Sequence, residues 1–296
     1  MTRLVTFQHD GSEKFGVRHG DRIIDLSTGE AAAALSSALG GTRPADLAGL
    51  VALGDRGIAA AREVAQSAEA TIELGAVKLL APIPAPTSVY AIGRNYADHV
   101  AEAGGEAPSM PRLFPKYRTT VIGPGEAIVK PPLTQQLDWE VEFAVVIGAY
   151  ADHVSADDAL DHVAAYTLIN DVSARDIQFS KPEQLVLAKN FRTFCPMGPE
   201  LVTKDEVPDP NDLAVRSWVN GEQMQNSSTS RLIFNTQKLI EFLSSVLPLM
   251  PGDIISTGTP EGVGAFRTPP VWLKAGDEVR LALGDLIEMT NPVIDA

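Results

Sequence analysis

The residues best suited to chemistry are carboxylates on one short segment, Leu137-Asp138-Trp139-Glu140-Val141-Glu142-Phe143, which runs on into Ala144-Val145-Val146-Ile147-Gly148. Polar and apolar side chains alternate with a period of two. The spacing therefore predicts a β-strand with Asp138, Glu140 and Glu142 on one face and Trp139, Val141 and Phe143 on the other. The apolar continuation predicts burial, and acidic groups at the mouth of a buried strand are costly unless something compensates them. Carboxylates two residues apart on one face lie about 6–7 Å apart and repel by roughly 2–3 kcal/mol at an effective dielectric of about 20. A bound dication removes that repulsion, and so does a solvated face; the pattern alone leaves both readings open.

A second apolar run, Ala165 to Asn170, predicts another strand that delivers Asp171 at its C-terminal end, ahead of the polar turn Val172-Ser173-Ala174-Arg175-Asp176. Glu140, Glu142 and Asp171, with no Cys or His ligand spacing nearby, make a hard all-oxygen donor set. Such a set suits Mg²⁺ or Mn²⁺, with Ca²⁺ as an alternative and Zn²⁺ disfavoured.

Among the five histidines, His99 has the informative neighbour. In Asn95-Tyr96-Ala97-Asp98-His99-Val100-Ala101-Glu102, Asn95 is placed to cap a short helix, and Glu102 follows His99 by one helical turn. A carboxylate there can fix the imidazole tautomer and raise its basicity, as a general base requires. The same spacing also describes an exposed helical ion pair. The single cysteine, Cys195 in Phe194-Cys195-Pro196-Met197, reads as a packed thiol rather than a nucleophile, and it excludes an intramolecular disulfide.

These residues need a scaffold, and the punctuation of the chain suggests one. Short β-like pieces occupy the first 30 residues, and an Ala- and Leu-rich helical stretch follows to about residue 70. Ala81-Pro82-Ile83-Pro84-Ala85-Pro86 interrupts any regular element, which places a boundary between an accessory domain, 1–80, and a main domain, 81–296. Beyond it, Asn220-Gly221 predicts a hairpin, residues 236–247 an amphipathic helix, and 278–283 with 285–290 a strand pair meeting at Gly284-Asp285. Gly258-Thr259-Pro260-Glu261-Gly262-Val263-Gly264 lacks the Gly-Lys-Ser/Thr ending of a phosphate loop and reads as a tight turn.

The chain is 45% hydrophobic and 21% charged, as expected of a globular protein, and its net charge of -14 argues against nucleic acid as a partner. Neither a secretory pattern nor an apolar run of membrane-spanning length is present, so the expected location is cytoplasmic.

Taken in order, GRNYADHVAE, PRLFPK, LDWEVEFAVVIG, INDVSARDIQ, LAKNFRTFCPMGP, VNGEQMQ, PGDIISTGTPEGVG and LKAGDEV resemble the fumarylacetoacetate hydrolase family, on its short acylpyruvate-hydrolase-like branch. The resemblance covers about residues 85 to 291. It implies an α+β, mainly β fold, a β-roll or flattened barrel behind a small N-terminal α/β domain, and a homodimer. It also implies that Glu140, Glu142 and Asp171 hold Mg²⁺, that His99 and Glu102 form a water-activating dyad, and that Lys189 is the active-site lysine. Arg175, Gln178 and Thr259 would contact a small anionic keto acid, and Ala103 to Pro111 would form a lid. The additional aspartate ligand of full-length fumarylacetoacetases has no counterpart here, and Ala-Lys-Asn-Phe replaces the commoner Gly-Lys-Ser-Phe. The activity implied first is metal-dependent hydrolysis of a C–C bond in an acylpyruvate-like or diketo-sugar β-diketo acid, through an enolate. The alternatives are an oxaloacetate-type decarboxylase, an isomerase or decarboxylase of unsaturated dicarboxylates and, in another class, a non-catalytic metal- or carboxylate-binding protein.

Overall fold

The computed structural model describes residues 2–296. Its architecture is mainly β, as expected, with strands gathered in two large sheets whose ladders run open rather than closing into a barrel. The larger sheet is built around Val141–Ile147, which pairs antiparallel with Val163–Asn170 on one side and Ile254–Ser256 on the other. Beyond Ile254–Ser256 lie Val89–Gly93 and then Arg112–Lys116. In the other direction Val163–Asn170 pairs with Cys195–Thr203, which pairs with Arg3–His9. The N-terminal strands thus extend the same sheet, and the helices Gly29–Ala38, Leu47–Val51 and Gly54–Ser67 accompany them.

The second sheet has five strands, in the order Glu222–Ser228, Ala214–Val219, Glu278–Leu283, Ile287–Asp295 and Ile128–Lys130. Its first hairpin turns at Asn220-Gly221, where φ is 52° and 83°, the paired left-handed conformations that a two-residue turn needs. The helix Thr236–Val246 begins where Asn235 accepts a hydrogen bond from the Lys238 amide at 3.0 Å.

Alternation along Val141–Ile147 explains how the layers join. Val141, Phe143, Val145 and Ile147 pack into a core shared with Val215, Leu281 and Met289 of the second sheet. Ala144 and Val146 pack the other way, with Ile58, Ala61 and Val64 of the N-terminal helical layer. Both faces are therefore buried, so Glu142 cannot lie on a solvated face; it is 1% exposed.

Two local expectations are corrected. The acidic segment is not one continuous strand: Leu137–Asp138 and Val141–Ile147 are separate, with Trp139-Glu140 between them. Asn95 does not cap the helix Ala97–Glu102, whose N-cap is Tyr96; its side chain instead bonds Phe234 and Thr257 across the molecule. Among the described residues no helix is long and apolar enough to cross a membrane.

Candidate metal centre and active-site cleft

Strand register assembles the carboxylates. Val141 pairs with Asn170, which sets Glu140 beside Asp171 where the two strands end. The junction is fastened by the Asp171 amide donating to the Glu140 carbonyl at 2.9 Å and the Glu140 amide donating to Asn170 Oδ1 at 3.0 Å. Glu140, Glu142 and Asp171 each offer an oxygen within 4.8 Å of the others, and all three are buried. Glu140 and Glu142 line a cleft whose walls also include His99, Arg175, Lys189 and Thr259.

The cations are unevenly shared. Lys189 donates to Glu140 Oε2 at 2.7 Å and Asp171 Oδ2 at 2.6 Å. Arg175 donates through Nη2 to Glu140 Oε1 at 2.7 Å, through Nε to Asp138 Oδ2 at 2.8 Å, and through Nη1 to Gln178 Oε1 at 2.8 Å. Lys116, fully buried, lies 2.7 Å from Asp171 Oδ1 and donates to the carbonyls of Lys189 and Phe194. Burial would raise the Glu140 pKa, but Lys189 and Arg175 together hold it well below the usual carboxylate range. Burial would also strip the Lys189 proton; Asp171 and Glu140 more than offset this and keep it charged.

Glu142 is treated differently. Its Oε2 accepts from Ser256 Oγ at 2.5 Å and the Gly258 amide at 3.0 Å, and no lysine or arginine pairs with it among the described residues. Burial, followed by the charges of Asp171 and Glu140, pushes it up to about 8. A buried carboxylate without a counter-ion, in a cluster of three that offer convergent oxygens, is the environment a divalent cation would satisfy. The donor set therefore fits the group that the sequence implies, with hard oxygens only.

The loop 258–264 does more than turn. Its Gly258 amide holds Glu142, its Gly262 amide donates to Glu102 Oε1 at 2.9 Å, and its Gly264 amide donates to Asp138 Oδ1 at 2.7 Å. Gly258 and Gly262 have φ of 102° and 97°, and a Cβ at either would collide with backbone, with the Ile92 carbonyl at 2.9 Å or the Met224 carbonyl at 2.1 Å. One glycine-rich segment thus fixes three carboxylates relative to one another.

His99 lies in the wall of the cleft, 6% exposed, with Nδ1 3.3 Å from Glu102 Oε2 and its ring 5.7 Å from that of Phe266. Glu102 is anchored from both sides, by His99 and by the Gly262 amide. The segment from Ala103 to Pro111 carries no helix or strand and is mostly exposed beside this wall.

All nine residues singled out in the sequence gather around this cleft, but several spend their polar atoms internally. Thr259 Oγ1 donates to the Val141 carbonyl at 2.9 Å and accepts from Gln225 Nε2 at 2.8 Å, so its proton is committed to the backbone between the two glutamates. Arg175 has every guanidinium nitrogen bonded. Gln178 keeps its amide nitrogen free of partners among the described residues. Asp138, expected to share a face with Glu140 and Glu142, instead accepts four hydrogen bonds away from the triad, from Arg175, Trp139, Gly264 and Ala265. Cys195 is fully buried, and burial pushes its thiol up to about 12, which keeps it protonated and inert.

Lys116 and Gln225 were not singled out in the sequence. Gln225 accepts from the Val141 amide and Ser217 Oγ, so a side chain of the second sheet stands in for a strand partner beside the triad. Both occur within the ordered motifs, PRLFPK and VNGEQMQ, yet nothing in their local periodicity separates them from surface residues.

Residues 88–294 match the family model described as the fumarylacetoacetate (FAA) hydrolase C-terminal domain. This chain belongs to the fumarylacetoacetate hydrolase family. It is 41% identical over 297 residues to the Bos taurus protein named oxaloacetate tautomerase FAHD2A, mitochondrial, covering 99% of this chain and 91% of that one. It is 43% identical over 265 residues to oxaloacetate tautomerase YisK of Bacillus subtilis, covering 85% and 87%. Among solved structures it resembles maleylpyruvate hydrolase from Sphingobium sp. SYK-6 in complex with manganese(II) ion and pyruvate, with TM-score 0.79, 30% identity and 99% of each chain covered. The family expected from the ordered motifs is the one found. Within it, these curated relatives favour the oxaloacetate-type alternative over the C–C hydrolase placed first on sequence grounds.

Proposed function

We propose that this enzyme interconverts the enol and keto forms of a small 2-oxo dicarboxylate of the oxaloacetate type. The observation that carries this reading is a tethered imidazole, His99 on Glu102, sharing one cleft with the carboxylate triad. The near full-length similarity to two oxaloacetate tautomerases selects the substrate class. Glu140, Glu142 and Asp171 would hold Mg²⁺ or Mn²⁺, and the ion supplies a Lewis acid that lowers the cost of negative charge on a 2-oxo oxygen.

The reaction moves one proton from the enol oxygen at C2 to C3, while the double bond shifts from C2=C3 to C2=O. No bond to water forms and nothing is oxidised. A single positioned base is enough for such a transfer. His99, with Nδ1 directed to Glu102, would accept and return the proton at Nε2. Arg175 and Lys189 keep Glu140 ionised, Lys189 also holds Asp171 in place, and Gln178 offers an amide donor to the substrate.

The test is to add oxaloacetate enol to purified protein with Mg²⁺ and follow the enol absorbance together with pyruvate. The expected result is a faster approach to the spontaneous keto–enol equilibrium with no pyruvate released. Stoichiometric pyruvate would overturn the tautomerase reading in favour of decarboxylation. Hydrolysis of an acylpyruvate is a second reading, favoured by the likeness to maleylpyruvate hydrolase, and predicts pyruvate from an acylpyruvate in the same assay.

A further inference from the structure

The cleft has four cationic side chains in its walls: Arg94, Arg112, Arg175 and Lys189. Two are consumed by the floor, since Arg175 and Lys189 are at most 3% exposed and bonded to carboxylates. Arg112 extends to Glu183, with Nη2 2.7 Å from Oε1. Arg94 alone is exposed and pairs with no acidic side chain among the described residues. In a chain of net charge -14, an unpaired guanidinium at the rim of an acidic cleft is conspicuous, because a dianionic ligand needs local positive charge to approach.

Its backbone is also unusual. Arg94 has φ of 58°, a left-handed conformation that is disfavoured for a residue with a Cβ and commoner for Asn, Asp or Gly. The neighbouring residue enforces it. Asn95 is fully buried and locked by Phe234 and Thr257, while its carbonyl accepts from the Ile233 amide at 2.7 Å. Gly258, whose amide holds Glu142, packs so tightly on this turn that an added Cβ would lie 2.9 Å from Asn95 Cβ. The turn that carries Arg94 is thereby tied to the carboxylate triad. On its outer side the guanidinium runs beside Gly105, where an added Cβ would come within 3.8 Å of Nη1.

We propose that Arg94 binds the second carboxylate of a 2-oxo dicarboxylate, the one remote from the triad, and so selects dicarboxylates over 2-oxo monocarboxylates. The inference rests on the 2-oxo acid reading given under Proposed function and adds its specificity determinant. Guanidinium is the suited donor because its fork matches a carboxylate in two parallel hydrogen bonds, which lysine cannot reproduce.

Calorimetric titration of the Mg²⁺-loaded protein with oxaloacetate and with pyruvate tests it, using the wild type, Arg94→Gln, Arg94→Lys and Arg94→Gly. Arg94→Gln is expected to weaken oxaloacetate binding about tenfold or more and to leave pyruvate within twofold, with partial recovery in Arg94→Lys. Arg94→Gly should lose the same selectivity while melting no lower than the wild type, since glycine accepts the left-handed turn. That variant separates recognition from folding. Equal losses for both ligands, or none for either, would overturn the assignment. If the wild type prefers oxaloacetate through Arg94 but does not accelerate its tautomerisation, the recognition role stands and the tautomerase reading falls.

Discussion

Asp138 and Glu142 are four residues apart, both nearly inaccessible to solvent, and indistinguishable by the alternation that first drew attention to them. Their surroundings are opposite. Asp138 receives the Arg175 guanidinium and three backbone amides, so both of its oxygens are fully partnered. Glu142 receives one hydroxyl and one amide, faces two other carboxylates, and has no cation of its own. The first is a structural anchor that turns the chain between Leu137–Asp138 and Val141–Ile147. The second is a group left incomplete by the protein, and incompleteness of this kind marks where a ligand belongs. Glu140 stands between them in character as well as position: it is a candidate metal ligand, yet its charge is already matched by Arg175 and Lys189.

This contrast gives its largest consequence in a pair of isosteric changes. Glu140→Gln and Glu142→Gln should each lower Mg²⁺-dependent turnover on the order of 10³-fold, because each removes a charged oxygen from the triad. Their effects on the metal-free protein should have opposite signs. Glu140→Gln leaves Arg175 and Lys189 short of a buried counter-charge and should cost about 3–5 kcal/mol. Glu142→Gln replaces a carboxyl that the metal-free fold must keep protonated while retaining an acceptor for Ser256 and Gly258, so its metal-free melting temperature should equal or exceed that of the wild type. Thermal unfolding in chelator reads both. Destabilisation by Glu142→Gln comparable to that of Glu140→Gln would mean that Glu142 is another Asp138.

A second change separates the floor of the cleft from its wall. His99→Gln should reduce kcat about 10²- to 10⁴-fold, the usual contribution of a positioned base, with Mg²⁺ affinity held within about twofold. Steady-state kinetics and a metal titration distinguish the two effects. A parallel loss of metal affinity would place His99 among the ligands.

The sequence made some of this legible and hid the rest for identifiable reasons. Glu140, Glu142 and Asp171 could be found because strand periodicity and a strand's end are local signals. The hairpin at Asn220-Gly221 was legible because its turn chemistry is local too. The break at Trp139-Glu140 was not, since it depends on Asp138 accepting amides from Gly264 and Ala265, more than 120 residues away. Asn95 misled for the same reason: its side chain satisfies Phe234 and Thr257 instead of the adjacent helix. The roles of Lys116 and Gln225 depend on strand pairings and a sheet–sheet contact that no short window contains. Mainly β topology followed from turn and strand spacing with the family resemblance, whereas the pairing of Arg3–His9 with Cys195–Thr203 is long-range and had no local sign.

The smallest expected effect is also the most selective probe of the Asp138–Glu142 contrast, because pH alone reads it in the unaltered protein. In metal-free protein the Glu142 carboxyl is raised from 4.5 to about 8 by burial and by Asp171 and Glu140. Between those pH values the folded state keeps a proton that the unfolded chain has released, so stability should fall as pH rises from about 4.5 to about 8 and level off above it. Glu140 works in a separate window. Its lowered folded value adds stability that is present above 4.5 and is lost only as pH falls below that. Saturating Mg²⁺ would displace the Glu142 proton, so metal affinity should climb with pH over the window in which metal-free stability declines. Denaturant unfolding at a series of pH values, with chelator and with Mg²⁺, measures both slopes. Glu142→Gln should flatten the chelator curve between 4.5 and 8; a slope unchanged by that substitution would assign the missing charge partner to a different residue.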